Sequence, residues 1–191
     1  MSLDRPTVIQ WLALSLILIC GTAFRITYNA QTVPDGFIRG DAKSYLLYAH
    51  NLLSHSTYSK DLQSPPVPDS YWAPGYPVFL ASVLLLSGTH RVDEAGFLLF
   101  GTEAFDVVLA AQVILGVGTI LLCYLISASF LPGYWALFPA FLVAISPHLV
   151  STAYYILTEN LFGFILLLTV YLAVRASNSS VFFCWLVAVI A

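Results

Sequence analysis

The chain has 191 residues, 59% hydrophobic and only 9% charged, with a formal net charge of −3. Soluble domains carry charge at about a quarter of their positions, so this composition excludes an ordinary water-soluble globule and predicts a polytopic membrane protein. The sequence has no basic cluster, Gly-rich phosphate loop or Cys/His zinc spacing, which leaves no support for a nucleic-acid partner or a soluble nucleotide.

The first apolar run, Thr7 to Phe24, lies between Arg5 and Arg25. Its length, about 18 residues, is near the minimum for crossing the hydrocarbon core as a helix. No small-residue cleavage pattern precedes Arg25 and further apolar runs follow, so it reads as an uncleaved first span. A long segment comes next, from about residue 25 to about residue 104, before hydrophobicity resumes in earnest. It contains "RGDAKSYLLYAHNLLSHSTYS", from Arg39, which places Ala42, Tyr45, Ala49, Leu52 and Leu53 on one helical face and Lys43, His50, Asn51 and Ser54 opposite. That pattern predicts an amphipathic helix suited to the membrane surface, with Asp41 as N-cap accepting the N–H of Ser44 or a neighbour.

Five of the ten prolines then fall between Pro65 and Pro77, which excludes regular helix and predicts an extended, turning path. Its tyrosines and tryptophan, among them Tyr71, Trp72 and Tyr76, line a groove in one reading and are interfacial belt aromatics in the other. Val78 to Leu86 is too short to cross and predicts a re-entrant or interfacial helix. Further runs are Phe105 to Phe130, Tyr134 to Ile145, Leu161 to Val174 and Val181 to Ala191, separated by Pro132–Gly133, by Pro147 and by "RASNSS". The third and fourth spans are short, and the last run is too short to span alone, which predicts that the natural chain continues past Ala191.

Arg5 and Arg175 flank short loops and place both cytoplasmic by the positive-inside rule. Alternating spans then put the 25–104 segment outside, and with it Asp41 and the mouth of the fourth span, where Glu159 sits. Arg25, Arg39, Lys43, Lys60 and Arg91 on that side do not overturn this, because loops beyond about 60 residues translocate largely regardless of charge. Cys20, Cys123 and Cys184 fall inside apolar runs, and the sequon at Asn178 lands in a cytoplasmic turn. No internal repeat is detectable.

The two carboxylates carry the chemistry. An acid at the edge of a span is tolerated when it faces a wet cavity or a partner, which makes Glu159 a functional candidate. The plainer alternative is a first-turn glutamate favoured by the helix dipole, with Thr158 as cap. "GDAKSY", "AHNLL", "APGYPVFLA", "ISP" and "LTENLF", in that order along nearly the whole chain, resemble the N-terminal half of the polyprenyl-phosphate-sugar glycosyltransferases of the GT-C fold. The nearest kin would be the protein O-mannosyltransferases of glycosyltransferase family 39 and the lipid A aminoarabinose transferases.

The resemblance implies an all-α, polytopic helix bundle whose N-terminal part is residues 1–191, with amphipathic interfacial helices in its first external loop. It implies an inverting transfer of a sugar from a polyprenyl-phosphate donor to a hydroxyl of a glycan, lipid or protein, at the external face of the plasma (inner) membrane. Asp41 matches the family's acidic residue in the first external loop, the catalytic base or the residue that orients the acceptor. Glu159 matches the second acid, which binds substrate hydroxyls or positions a basic residue. Arg39 and Lys43 are candidates for the donor phosphate, with Lys60 and Arg91 behind them, and Tyr45 and Tyr76 are assigned to substrate binding. Relatives also suggest that loops beyond Ala191 share the phosphate role. No cofactor is assigned, although a divalent metal is left open. Aminoarabinose-branch relatives have an acidic and a basic residue where this chain has Trp72 and Ala73, so their metal and phosphate contacts do not transfer.

Two other classes compete. A secondary transporter would favour mid-span acids and inverted repeats, whereas here the acids lie at span edges. A noncatalytic membrane scaffold is the third reading.

Overall fold

The computed structural model describes residues 7–32, 40–89 and 102–177. Among them the regular structure is all helical: α1 Val8–Gln31, α2 Asp41–His55, α3 Gly75–Ser87, α4 Thr102–Ser127, a 3-10 turn Gly133–Ala136, α5 Leu137–Ile145, α6 Pro147–Ser151 and α7 Thr158–Ser177. Three of these helices are long and apolar enough to cross a membrane: Val8–Gln31, Glu103–Ser127 and Thr158–Ala176. The final apolar run, Arg39, Arg91 and the Asn178 sequon lie outside the described residues.

The contacts divide the chain into two units. The first holds α1, α4 from Val113, the 3-10 turn, α5, α6 and α7 from Glu159. Its core is Leu14, Ile120, Tyr124, Ala136, Leu137, Ala140 and Ala144. Small residues let these backbones approach, because lipid offers no hydrophobic drive between helices and packing must supply the attraction. A Cβ on Gly21 would lie 2.5 Å from Ile120 Cδ1 and 3.2 Å from the Ala144 Cβ, and one on Gly118 would lie 2.6 Å from the Phe164 ring. Trp11 meets Tyr124 with ring centroids 6.2 Å apart. Contacts rising along α1 therefore fall along α4 and rise along α5, so α1 is antiparallel to α4 and parallel to α5. Val8, Leu12, Leu16 and Ile19 repeat at helical spacing on the exposed face of α1, a face that hydrocarbon can cover.

Two apolar runs differ from their sequence outlines. α1 runs past Arg25 to Gln31, because Arg25 turns into the helix packing and does not end the span. The Tyr134–Ile145 run becomes the 3-10 turn and α5, interrupted at Ser146 before α6 resumes with Pro147 at its first turn. Proline lacks the N–H and disfavours a helical preceding residue, and Ser146 is extended at φ −63°, ψ 117°. α7 has 20 residues and needs no extension.

The second unit contains α2, the 57–74 loop, α3 and the first part of α4. α2 buries Ala42, Tyr45, Leu46, Tyr48 and Ala49, and α3 buries Tyr76, Pro77, Leu80, Ala81 and Leu84. The proline-rich stretch carries no regular helix until Gly75, but the exclusion of helix as far as Pro77 is corrected: α3 takes in Tyr76 and Pro77, and a proline in the first turn of a helix gives up no intrahelical hydrogen bond. The expected polar face of α2 is only partly polar in environment, since His50 and Asn51 are buried. The loop folds back over them: Asn51 Nδ2 donates to the carbonyls of Ser59 and Asp61, each at 2.9 Å, and His50 Nδ1 is 3.2 Å from Ser54 Oγ.

α2 ends on Ser56, which is left-handed at φ 52°. Glycine adopts that conformation without Cβ strain. Ser56→Gly is expected to stabilise the unit by about 0.5–1 kcal/mol, read as a higher unfolding midpoint.

Candidate functional site

Gly40 occupies the N-cap of α2 at φ 54°, ψ −122°, a conformation available to glycine and strained for any residue with a Cβ. Asp41 is the first helical residue, and α2 has no side-chain cap hydrogen bond. The expectation that Asp41 caps the helix is therefore corrected. The chiral cost of the turn falls on Gly40, and the Asp41 side chain is exposed in the first turn, where the helix dipole favours its negative charge.

The two acids of the 57–74 loop differ from Asp41 in how their oxygens are engaged. Asp61 accepts the N–H groups of Gln63 at 3.1 Å and Val67 at 3.4 Å. Asp69 accepts the Tyr48 hydroxyl, the Lys60 N–H at 3.0 Å and the Tyr71 N–H at 3.2 Å, with Ser59 Oγ 3.5 Å away. Burial acts to raise the Asp69 pKa, but the Lys60 N–H, the Tyr48 hydroxyl, the Tyr71 N–H and the Lys60 charge outweigh it, so the carboxyl titrates below the ordinary range. Burial, and then the hydrogen bond and charge of Asp69, push Tyr48 up to about 12. Tyr58 is raised by burial and then by the Asp69 charge. Tyr48 and Tyr58 stack with centroids 4.2 Å apart, and the Tyr58 hydroxyl donates to the Trp72 carbonyl at 2.8 Å. Asp69 thus holds the loop against α2, and its oxygens are committed to that role.

Tyr45 packs at 5.4 Å from Trp72 and edge-on at 5.2 Å from Tyr76. The Tyr76 hydroxyl donates to Gln112 Oε1 at 3.4 Å. At 4% and 3% exposure, the two tyrosines assigned to substrate form the interior between α2 and α3, and what they fix is the position of α2. Lys43 is exposed on α2. Lys60 places Nζ 3.7 Å over the Tyr71 ring, a cation–π contact that occupies it locally. Glu159 is exposed in the first turn of α7. It belongs to the first unit and Asp41 to the second.

Asp69 was not picked out by the sequence reading, though the Asx turn from Asp69 to Tyr71 was available in "PDSY". Its partner Tyr48 lies 21 positions away and had no local signal. Among the described residues no three His, Cys, Asp or Glu side chains gather as metal ligands would; His148 is exposed on α6. An apolar groove lined by Ile17, Tyr134, Trp135, Leu137, Phe138 and Phe141 opens on the first unit and contains no ionisable group other than a phenol.

Comparison with known proteins adds no relative: no family model, no curated protein and no solved structure matches the chain.

Proposed function

We propose that the chain is part of a membrane glycosyltransferase that moves a sugar from a polyprenyl-phosphate donor to an acceptor hydroxyl at the external face. The observation that carries this reading is the contrast among the acids of α2 and the 57–74 loop: Asp61 and Asp69 are tied into the loop, while Asp41 is exposed at a glycine-built helix start without a side-chain cap hydrogen bond. The lipid phosphate is a stable leaving group, and the incoming hydroxyl needs a base within hydrogen-bonding reach. Asp41 takes that proton. Glu159 binds substrate hydroxyls, and Arg39 and Lys43 offset charge on the departing phosphate.

A shared external face for the two acids is the expectation of the positive-inside rule. α1 and α5 run parallel, and α7 starts shortly after α6 ends. The C-terminal end of α1 and the N-terminal end of α7 therefore lie toward the same end of the first unit. Single cysteines at Ser56 and Ser177 in a cysteine-free variant are expected to react oppositely with an impermeant thiol reagent applied outside, Ser56 labelled and Ser177 protected. Equal labelling would remove the shared face.

Glu159→Gln keeps the shape and removes the charge. It is expected to lower transfer by about tenfold or more while leaving membrane insertion intact, measured with a radiolabelled sugar donor, since a hydrogen bond to a charged group contributes ~1.5–3 kcal/mol. Turnover equal to wild type would leave Glu159 as a helix-dipole residue.

A further inference from the structure

Arg25 is the most buried charged side chain among the described residues, at 1% exposure. It lies within α1, beyond the apolar run and before the helix end. Its Nη1 donates to the Gly21 carbonyl at 2.9 Å, and its Nε is buried without any partner. No carboxylate acts on it among the described residues. The packing is shaped to admit it: a Cβ on Gly116 of α4 would lie 2.6 Å from Nε and 3.2 Å from Cδ. One turn further along the same face, Asn29 buries an amide oxygen that also lacks a partner.

A guanidinium inside a span without a counter-charge is costly, and an ionisable residue in such a place marks a functional site by default. Its depth is also informative. With the apolar run of α1 in hydrocarbon, Arg25 sits where the core gives way to headgroups. A long side chain with its stem in the interior can swing its head toward that boundary by side-chain rotation alone. The guanidinium's planar fork suits phosphate oxygens, and the neighbouring amide suits a hydroxyl.

We propose that Arg25 is the receptor for a phosphate group at the membrane boundary, and that Asn29 accepts a hydroxyl of the sugar attached to it. In this lipid-linked form the proposal rests on the transferase reading, whereas the anion site itself rests only on Arg25 and its glycine cradle. The phosphate candidates named from sequence all lie in the external segment; Arg25 was read there as a flank of the first span.

The test is a binding measurement that needs no turnover. The full chain is placed in phosphatidylcholine nanodiscs with or without undecaprenyl phosphate, and separately with inorganic phosphate in solution, and the unfolding midpoint is followed. The wild type is expected to rise with undecaprenyl phosphate, and Arg25→Met to lose that rise, with apparent affinity weakened at least tenfold. Without ligand, Arg25→Met is expected to unfold at a higher temperature than wild type, because an apolar side chain replaces an uncompensated charge. A rise with inorganic phosphate alone would keep the anion site and overturn its lipid form. Equal responses of wild type and Arg25→Met, or no response of the wild type to either phosphate, would overturn the proposal. If Arg25→Met fails to fold, Arg25 is held by an internal partner and the premise is lost, unless Gly116→Ala folds and loses the response. That variant keeps the charge and displaces the guanidinium.

Discussion

Asp41→Asn is expected to insert, fold and bind donor as the wild type does and to lose sugar transfer by about 10²- to 10⁴-fold, the usual worth of a general base. The amide is nearly isosteric with the carboxylate but cannot take a proton from the acceptor hydroxyl. Stability is expected to change little. Gly40, and not Asp41, stands at the N-cap, so the substitution removes only a first-turn charge, worth about 0.3–1 kcal/mol against the helix dipole. Asp41→Ala is expected to behave alike in both respects, which separates the base from a cap. Donor binding, unfolding midpoint and transfer rate on the same preparations check this. Wild-type transfer by Asp41→Asn would make Asp41 an ordinary helix-start residue.

Asp69→Ala is expected to have the opposite profile, a structural loss at a carboxylate with no chemical role. It leaves the Tyr48 hydroxyl, which is fully buried, without its acceptor. It also frees the Lys60 and Tyr71 N–H groups. An orphaned buried donor costs ~1–3 kcal/mol, and the two amides can in part turn to water, so about 3 kcal/mol of loop stability is expected to go. Hydrogen exchange over residues 57–74 reads this directly. The pH dependence has a defined sign. Asp69 titrates lower when folded than unfolded, so its stabilisation is fully present above the unfolded carboxyl value near ~4 and is lost as pH falls through the lower folded value. Tyr48 is raised to about 12; its share is fully present below the unfolded phenol value near ~10 and is lost as pH rises through the folded one. The wild-type loop should open at both extremes, and Asp69→Ala should flatten the acid limb. Unchanged exchange in Asp69→Ala would show that the carboxylate does not hold the loop.

Periodicity and punctuation carried much of the helical content. The amphipathic face with Ala42, Tyr45 and Ala49 and the break at Pro147 follow from side-chain spacing and proline chemistry, whereas the exclusion of helix as far as Pro77 overreached, because Pro77 is accommodated in the first turn of α3. What local pattern could not show is partnership at a distance. His50 and Asn51 look solvated on a helical wheel, yet both are buried, and Asn51 finds its partner in a loop residue eight positions on, Ser59, which supplies its carbonyl. Arg25 looks like the end of a span because a charge interrupts the apolar run. Only the proximity of Gly116, on another helix, makes an interior arginine feasible. The cap assignment for Asp41 failed for a related reason: aspartate is a good N-cap by type, but Gly40 alone can adopt the positive φ that starts this helix.

The most direct test of the central claim is donor consumption by the intact protein. Proteoliposomes containing the full chain are supplied with polyprenyl phosphates carrying radiolabelled hexoses or pentoses and with a panel of hydroxyl acceptors. Released polyprenyl phosphate and labelled product are then measured together. The transferase reading predicts equal amounts of the two with at least one donor, formed only from the face that labels at Ser56. Flux of a free solute across the bilayer, with every donor left intact, would contradict it.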